Sequence, residues 1–395
     1  MRALLWSFAY FFCLLAGYYV LRPLRDEMGV AGGVRNLQWL FTATFLVMLA
    51  AVPLYGALVA RLPRCRFIPA VYHFFAANLA LFWLLLVLDV ERQIVARVFF
   101  VWVSVFVLFA VSVFWSFMAD VFRPEQGKRL YGFIAAGGSA GALAGPALTI
   151  GLSQLFSPAH LLLVAALLLE AAVLCALRLE ERNAAPEKEA SLGGGAFDGL
   201  LEVLRSPYLA GITLWVALLS VAATFLYFEQ ARIVAEHSAD PAVRTRIFAT
   251  VDLVVGLLTI ALQFVATGRL LARFGVGAAL ALLPLVFAAG FAILAASPVL
   301  AVVIAFTALQ RTANFAISNP AREVLFTAVE RDEKYKAKNV IDIVAVRGAD
   351  ALGGWLVTAL RAAGVSAPLV AIGLAGACFA LSLALGRALE RRARL

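Results

Sequence analysis

Charge is scarce in this chain. Asp, Glu, Lys and Arg together supply 14% of the 395 residues, against about a quarter in soluble domains. Histidine is scarcer still, with three residues, and the four cysteines (Cys13, Cys65, Cys175, Cys378) lie far apart. No CxxC or Cys/His spacing is present, so the sequence indicates neither a metal centre nor a redox pair. A Walker motif, a nucleophile elbow and an HExxH helix are all missing. Those absences argue against an enzyme, and no cofactor is expected.

Apolar residues are abundant, at 64% of the chain. They fall in blocks of roughly 20 residues, the length that crosses a hydrocarbon core of ~30 Å at 1.5 Å per residue. A domain count from length alone therefore does not apply. The first block lacks a small-residue cleavage site, and a second block follows after one short loop, so it reads as a membrane helix and not as a signal peptide.

Twelve spans are expected: Ala3–Arg22, Leu37–Val59, Phe67–Leu88, Ile94–Ala119, Leu130–Leu155, His160–Leu177, Tyr208–Phe228, Ile247–Thr267, Gly277–Ala296, Leu300–Ile317, Val340–Leu360 and Leu369–Leu385. The formal charge of +9 comes from basic residues in the short loops, where the positive-inside rule puts them. No basic stripe with interleaved aromatics is present, so nucleic acid is not an expected partner. Every lysine (Lys128, Lys188, Lys334, Lys336, Lys338) falls on one side of the alternating spans, as do Arg61, Arg269, Arg273 and the basic tail. Both termini should then be cytoplasmic, in a bacterial inner membrane.

The stretch Glu180 to Gly195 is charged and then glycine-rich, and it divides the chain near its middle. The expected organisation is a six-helix half over residues 1–180, a cytoplasmic linker over 181–206 and a second half over 207–395. Two internal echoes support it. Gly56 to Arg61 (GALVAR) matches Gly268 to Arg273 (GRLLAR), and Ala140 to Gly145 (AGALAG) matches Ala349 to Gly354 (ADALGG). Parallel repeats of this kind imply two bundles around a site at mid-membrane depth. Gly137, Gly141 and Gly145 recur every four residues, a helix-packing stripe and not a phosphate loop.

Ionisable residues inside membrane helices are costly and usually functional. Spans nine and twelve have none in their interiors, and span three has only His73. Arg22, Arg25 and Asp26 share one helix face at i, i+3 and i+4. They read either as an anion clamp with a built-in counter-charge or, if the helix ends at Val20, as a solvated interface. Arg347 and Asp350 could form a salt bridge that changes partners or a static one. Asp252, Glu229 and Asp120 are candidates for ion coupling, since a carboxylate in a cavity can be loaded and unloaded; a static arginine partner is the other reading. Glu170 in span six fits neither group, beyond snorkelling towards the cytoplasm.

The Gly-x-Leu-x-x-Arg element resembles the loop motif of the major facilitator superfamily, with Ala60 and Pro63 in place of its usual aspartate and glycine. The resemblance implies an all-α integral membrane fold of two six-helix bundles, with spans one, four, seven and ten lining the cavity. Three stretches further resemble the ATP/ADP translocase family of nucleotide transporters: Leu21 to Asp26 (LRPLRD), Gly127 to Tyr131 (GKRLY), and Asn319 to Glu323 (NPARE) continuing through Lys336 to Asp342 (KAKNVID) and Arg347. By that resemblance Arg25 and Glu229 would contact substrate. Asn314 stands where that family has a lysine, and Asp350 lies near its Gly-Lys-Ser; Arg311, one turn before Asn314, would compensate.

The leading expectation is a monomeric secondary transporter or antiporter moving a small organic anion, a nucleotide among the candidates. Arg22, Arg25, Asp26, Glu229, Arg311, Asn314, Arg347 and Asp350 would form its site. Proton-coupled movement or export of another solute is one alternative. A non-transporting or lipid-handling membrane protein is the other, and membrane lipid is a partner in every case.

Overall fold

A computed structural model describes residues 2–61, 64–122, 124–180, 198–330, 333, 337–338 and 340–392. Every element among them is helical, and twelve helices are long and apolar enough to cross a membrane. In chain order they are α1 Arg2–Ala31, α2 Leu37–Arg61, α3 Arg64–Val87, α4 Arg92–Val121, α5 Pro124–Leu152, α6 Leu161–Glu180, α7 Pro207–His237, α8 Pro241–Leu262, α9 Gly268–Ala296, α10 Leu300–Ala328, α11 Ile341–Ala362 and α12 Ala367–Arg392. The expected linker lies outside the described residues as far as residue 197. It is followed by a short helix, Asp198–Arg205.

The helices run further than the apolar blocks predict. The first is expected to end at Arg22 and runs to Ala31; the seventh is expected to end at Phe228 and runs to His237. At 1.5 Å per residue, α1 is about 45 Å long. It stops where glycine allows: Gly33 takes φ 99°, the left-handed conformation that ends helices, and Arg97 Nε donates to the Gly32 carbonyl at 2.9 Å. The start of α8 is marked by Asp240, whose Oδ1 accepts from Ala242 N–H at 2.8 Å, followed by Pro241. This is an N-cap with proline at the first helical position.

The chain forms two compact units. The first comprises Met1–Gly33, Ala50–Ser191 and Ser238–Leu253; the second comprises Val34–Leu49, Leu192–His237 and Val254–Leu395. The opening segment of α2 thus counts with the second unit, and the opening segment of α8 with the first.

In the first unit α1 packs against α5, α6 and α4, while α3 packs against α6 and α4. The core is aromatic. Phe11 stacks on Phe114 at 4.2 Å, and Tyr10 donates to Tyr72, which donates to the Ala110 carbonyl, at 2.8 and 2.9 Å. That relay satisfies two buried hydroxyls that would otherwise be costly. In the second unit α7 packs against α11, α12 and α10, and α9 packs against α12 and α10. The partner list is the same with every helix number raised by six.

The echoed glycine segments do the same work in each unit. A Cβ on Gly141 of α5 would lie 2.4 Å from the Phe12 carbonyl oxygen of α1, and one on Gly145 would lie 2.7 Å from that of Ala16. On α11 a Cβ at Gly353 would meet Thr224 of α7 at 3.1 Å. Small residues let the backbones approach. The other echo, Gly268 to Arg273, stays helical here, and the chain bends afterwards at Gly275 (φ 76°).

Three π-helical turns, Gln263–Thr267, Asn314–Ser318 and Ile341–Ala345, interrupt helices of the second unit. Turns of this kind concentrate at functional positions.

Candidate functional site

In the first unit the charged residues of α1 lie within an unbroken helix. Asp26 and Glu27 are buried and Arg22 and Arg25 half-buried. A solvated interface beyond Val20 is therefore ruled out: partner helices cover these residues, and their charges are matched inside the fold. Arg22 faces Asp252 of α8 at 3.7 Å, with the Asp252 side chain 1% exposed. Arg25 lies 3.9 Å from Asp26 and places its guanidinium 4.3 Å from the centroid of Phe100 on α4, within cation–π range. Its Nε is buried and makes no hydrogen bond.

One turn along, Glu27 meets Arg244 of α8 at 2.7 Å, and Arg244 also donates to the Ser238 and Ala239 carbonyls. The two arrangements differ in kind. Charge-assisted hydrogen bonds between guanidinium and carboxylate run about 2.7–2.9 Å. Glu27–Arg244 is inside that range, although Arg244 Nε is buried without a hydrogen bond. Arg22–Asp252 and Arg25–Asp26 are about 1 Å longer, close enough to balance charge and too long to hold a fixed hydrogen bond.

In the second unit Glu229 accepts from Arg232 at 2.8 and 3.1 Å and from Arg361 of α11 at 3.0 Å. Arg232 also binds Glu236. Glu229, Arg232, Arg361, Pro298 and Ser366 help line a cavity of about 280 Å³ at the C-terminal end of α7. Arg347 reaches Asp350 at 3.3 Å, and Thr224 Oγ1 donates to the other Asp350 oxygen at 3.4 Å. Arg311 and Asn314 lie half-buried on α10, with Asn314 opening a π turn. The Asp120 side chain lies outside the described ones.

The long stretch that resembles the nucleotide transporters folds onto itself. Arg322 pairs with Asp342 at 2.9 Å and Glu323 with Lys338 at 2.7 Å. These pairs tie the end of α10 to the start of α11, so Arg322 and Lys338 are already engaged by acids of the same stretch. Lys336 and Asn339 lie outside the described residues.

The sequence pattern missed Glu27, Arg244 and Arg361. Ending the first span at Arg22 hid Glu27, although Gly32 and Gly33 carry the signal of the true end. Asp240 followed by Pro241 likewise marks the start of α8 and brings Arg244 into its first turn. Glu170 is also placed otherwise than expected. It does not snorkel: it lies at the middle of α6, 2.9 Å from His73 of α3. An ionised side chain at such depth costs roughly 2.5–3.5 kcal/mol, and one interhelical hydrogen bond returns about 0.6 kcal/mol.

A family model described as Major Facilitator Superfamily matches residues 3–234, more than half of the chain. No curated protein matches the sequence. Among solved structures the fold is similar to that of a variant of the nucleoside transporter NupG (TM-score 0.70, 13% identity, 99% of this chain and 100% of that one). It is similar to an auto-inhibited peptide transporter of the POT family (TM-score 0.66, 14% identity, 99% and 97%). It is also similar to a bacterial homologue of the human lysosomal transporter Spinster in an inward-facing, unoccupied conformation (TM-score 0.59, 16% identity, 98% and 92%). The family match, the twelve spans and the packing that repeats every six helices agree: this chain belongs to the Major Facilitator Superfamily.

Proposed function

We propose that this member of the superfamily is a secondary transporter that moves a small organic anion by alternating access, with Arg22 and Arg25 of α1 as the anion-binding pair. The observation that carries this reading is the loose pairing of those two guanidiniums. Their carboxylates stand at 3.7 and 3.9 Å, and a buried donor of Arg25 makes no hydrogen bond. An incoming carboxylate or phosphate can take shorter, bidentate hydrogen bonds from the two guanidiniums. When the anion leaves, the resident carboxylates keep the guanidiniums from standing uncompensated in a low dielectric.

Arg311, Asn314, Arg347 and Asp350 are proposed as substrate-binding residues of the second unit, with Glu229 held in reserve by its two arginines. Nucleotides stay among the candidate substrates through the α1 and α5 stretches, but the α10–α11 stretch supports them less, because Arg322 and Lys338 are paired within it. The membrane proposed is a bacterial inner membrane with both termini cytoplasmic.

Proteoliposome uptake of labelled ATP, ADP and a series of carboxylates tests the reading. At least one anion should be taken up, and Arg25→Ala should lower that uptake tenfold or more. Unchanged uptake of every anion in Arg25→Ala rejects the clamp.

A second reading rests on the near-complete burial of Asp252 beside Arg22. A carboxylate in that position can carry a coupling proton. Flux driven by an imposed pH gradient should then vanish in Asp252→Asn while exchange at equal pH survives.

A further inference from the structure

On the α3–α6 face of the first unit lies a groove of about 490 Å³, lined by Ala76, Ala77, Ala166 and Leu167 together with His73 and Glu170. The anion site uses none of these residues. The surrounding surface is apolar and open, with Phe74 and Leu81 exposed on α3 and Leu167 and Leu174 on α6. In a membrane, acyl chains cover such a face. The two polar side chains are nonetheless 54% and 41% exposed there.

His73 Nδ1 and Glu170 Oε1 engage each other. Glu170 Oε2 and His73 Nε2 make no hydrogen bond among the described residues. The corresponding pair in the second unit, α9 and α12, packs closely through Gly277 and Gly386, and its spans carry no Asp, Glu, His, Lys or Arg between Gly277 and Ala296 or between Leu369 and Leu385. The fold can therefore join these two helices without a polar pair. The pattern is that of a ligand pocket: mostly apolar walls with a few placed polar groups that fix orientation.

We propose that this groove binds a lipophilic amine that arrives from within the bilayer. Its hydrocarbon part lies over the three alanines and Leu167, and its ammonium donates to the carboxylate of Glu170 beside His73. The chemistry selects this class. The groove offers a carboxylate and no lysine or arginine, so a fatty acid is repelled, and an alcohol gains a hydrogen bond without the ion pair that an ammonium adds. Depth selects it too. Glu170 stands nine residues into α6, about 14 Å along the helix, beyond the reach of a phospholipid headgroup held at the interface. The site does not depend on the anion reading of Arg22 and Arg25.

The test is equilibrium binding of radiolabelled dodecylamine to the full chain in nanodiscs, corrected for empty nanodiscs, with dodecanol and dodecanoate as competitors. One saturable site is expected, weakened at least tenfold in Glu170→Gln. Ala77→Leu, which fills the groove and leaves the charges in place, should weaken it as much; Ala166→Leu serves if that variant does not fold. Binding that never saturates, that is unchanged in both kinds of variant, or that dodecanoate displaces as well as unlabelled dodecylamine overturns the proposal.

Discussion

At the scale of single residues, distance separates two jobs that the same residue types perform. Arg244 and Arg22 both face an acid across α1 and α8. The first is held at 2.7 Å and also donates to two backbone carbonyls, and the second stands off at 3.7 Å. Their substitutions should fail differently. Glu27→Ala leaves Arg244 buried without its charge partner, which should cost about 3–5 kcal/mol. Thermal melting in detergent should show it, and the double substitution with Arg244→Ala should recover part of the loss. Arg22→Ala, which removes no hydrogen bond at 3.7 Å, should melt above Glu27→Ala and lose anion uptake. A pair of variants that lose stability equally would remove the distinction.

The candidate residues on α1 were legible in the sequence because their spacing is helical. Their partners were not. Arg22 and Asp252 are 230 positions apart, and no local pattern announces a contact of that range.

At the scale of elements, the centres of all twelve spans can be read from the apolar blocks, and the ends cannot. A hydropathy window stops where charge begins. α1 and α7 continue because Asp26, Glu27 and Glu229 are buried with guanidinium partners, which removes the reason for a helix to leave the membrane there. The glycine stripe of α5 was legible as a packing surface, but its partner was not; the structure assigns it to α1. Gly141→Leu should therefore separate α1 from α5 and abolish the monodisperse peak in size-exclusion chromatography. Gly132→Ala is the control on the same helix. A Cβ there meets nothing within 4 Å, so the exchange should raise stability by about 0.5–1 kcal/mol.

At the scale of the whole molecule, the repeat was legible in two short echoes and becomes explicit in packing, where the main partners of α1 and α3 recur six numbers on around α7 and α9. Orientation remains a matter of charge. If basic loops lie inside, alkaline phosphatase fused after Gly33, Asp89 or Ser157 should be active in a bacterial host, and fused after residue 190 or at the C-terminus it should be silent. The reverse pattern would invert the proposed topology. Substrate is the least legible property. It depends on which guanidiniums are free to exchange partners, and sequence carries no record of that.

The assignment of residues Ser238–Leu253 to the first unit has a meaning in time. Synthesis runs from the N-terminus, so Glu27 enters the membrane long before the arginine that matches it. Arg244 follows 217 residues later, a wait of about 10–40 s at ordinary elongation rates. For that interval the growing chain carries an acid on α1 without its hydrogen-bonded partner. The nascent half must either hold a proton there, keep that end of α1 near water, or rest against the insertion machinery until α8 arrives.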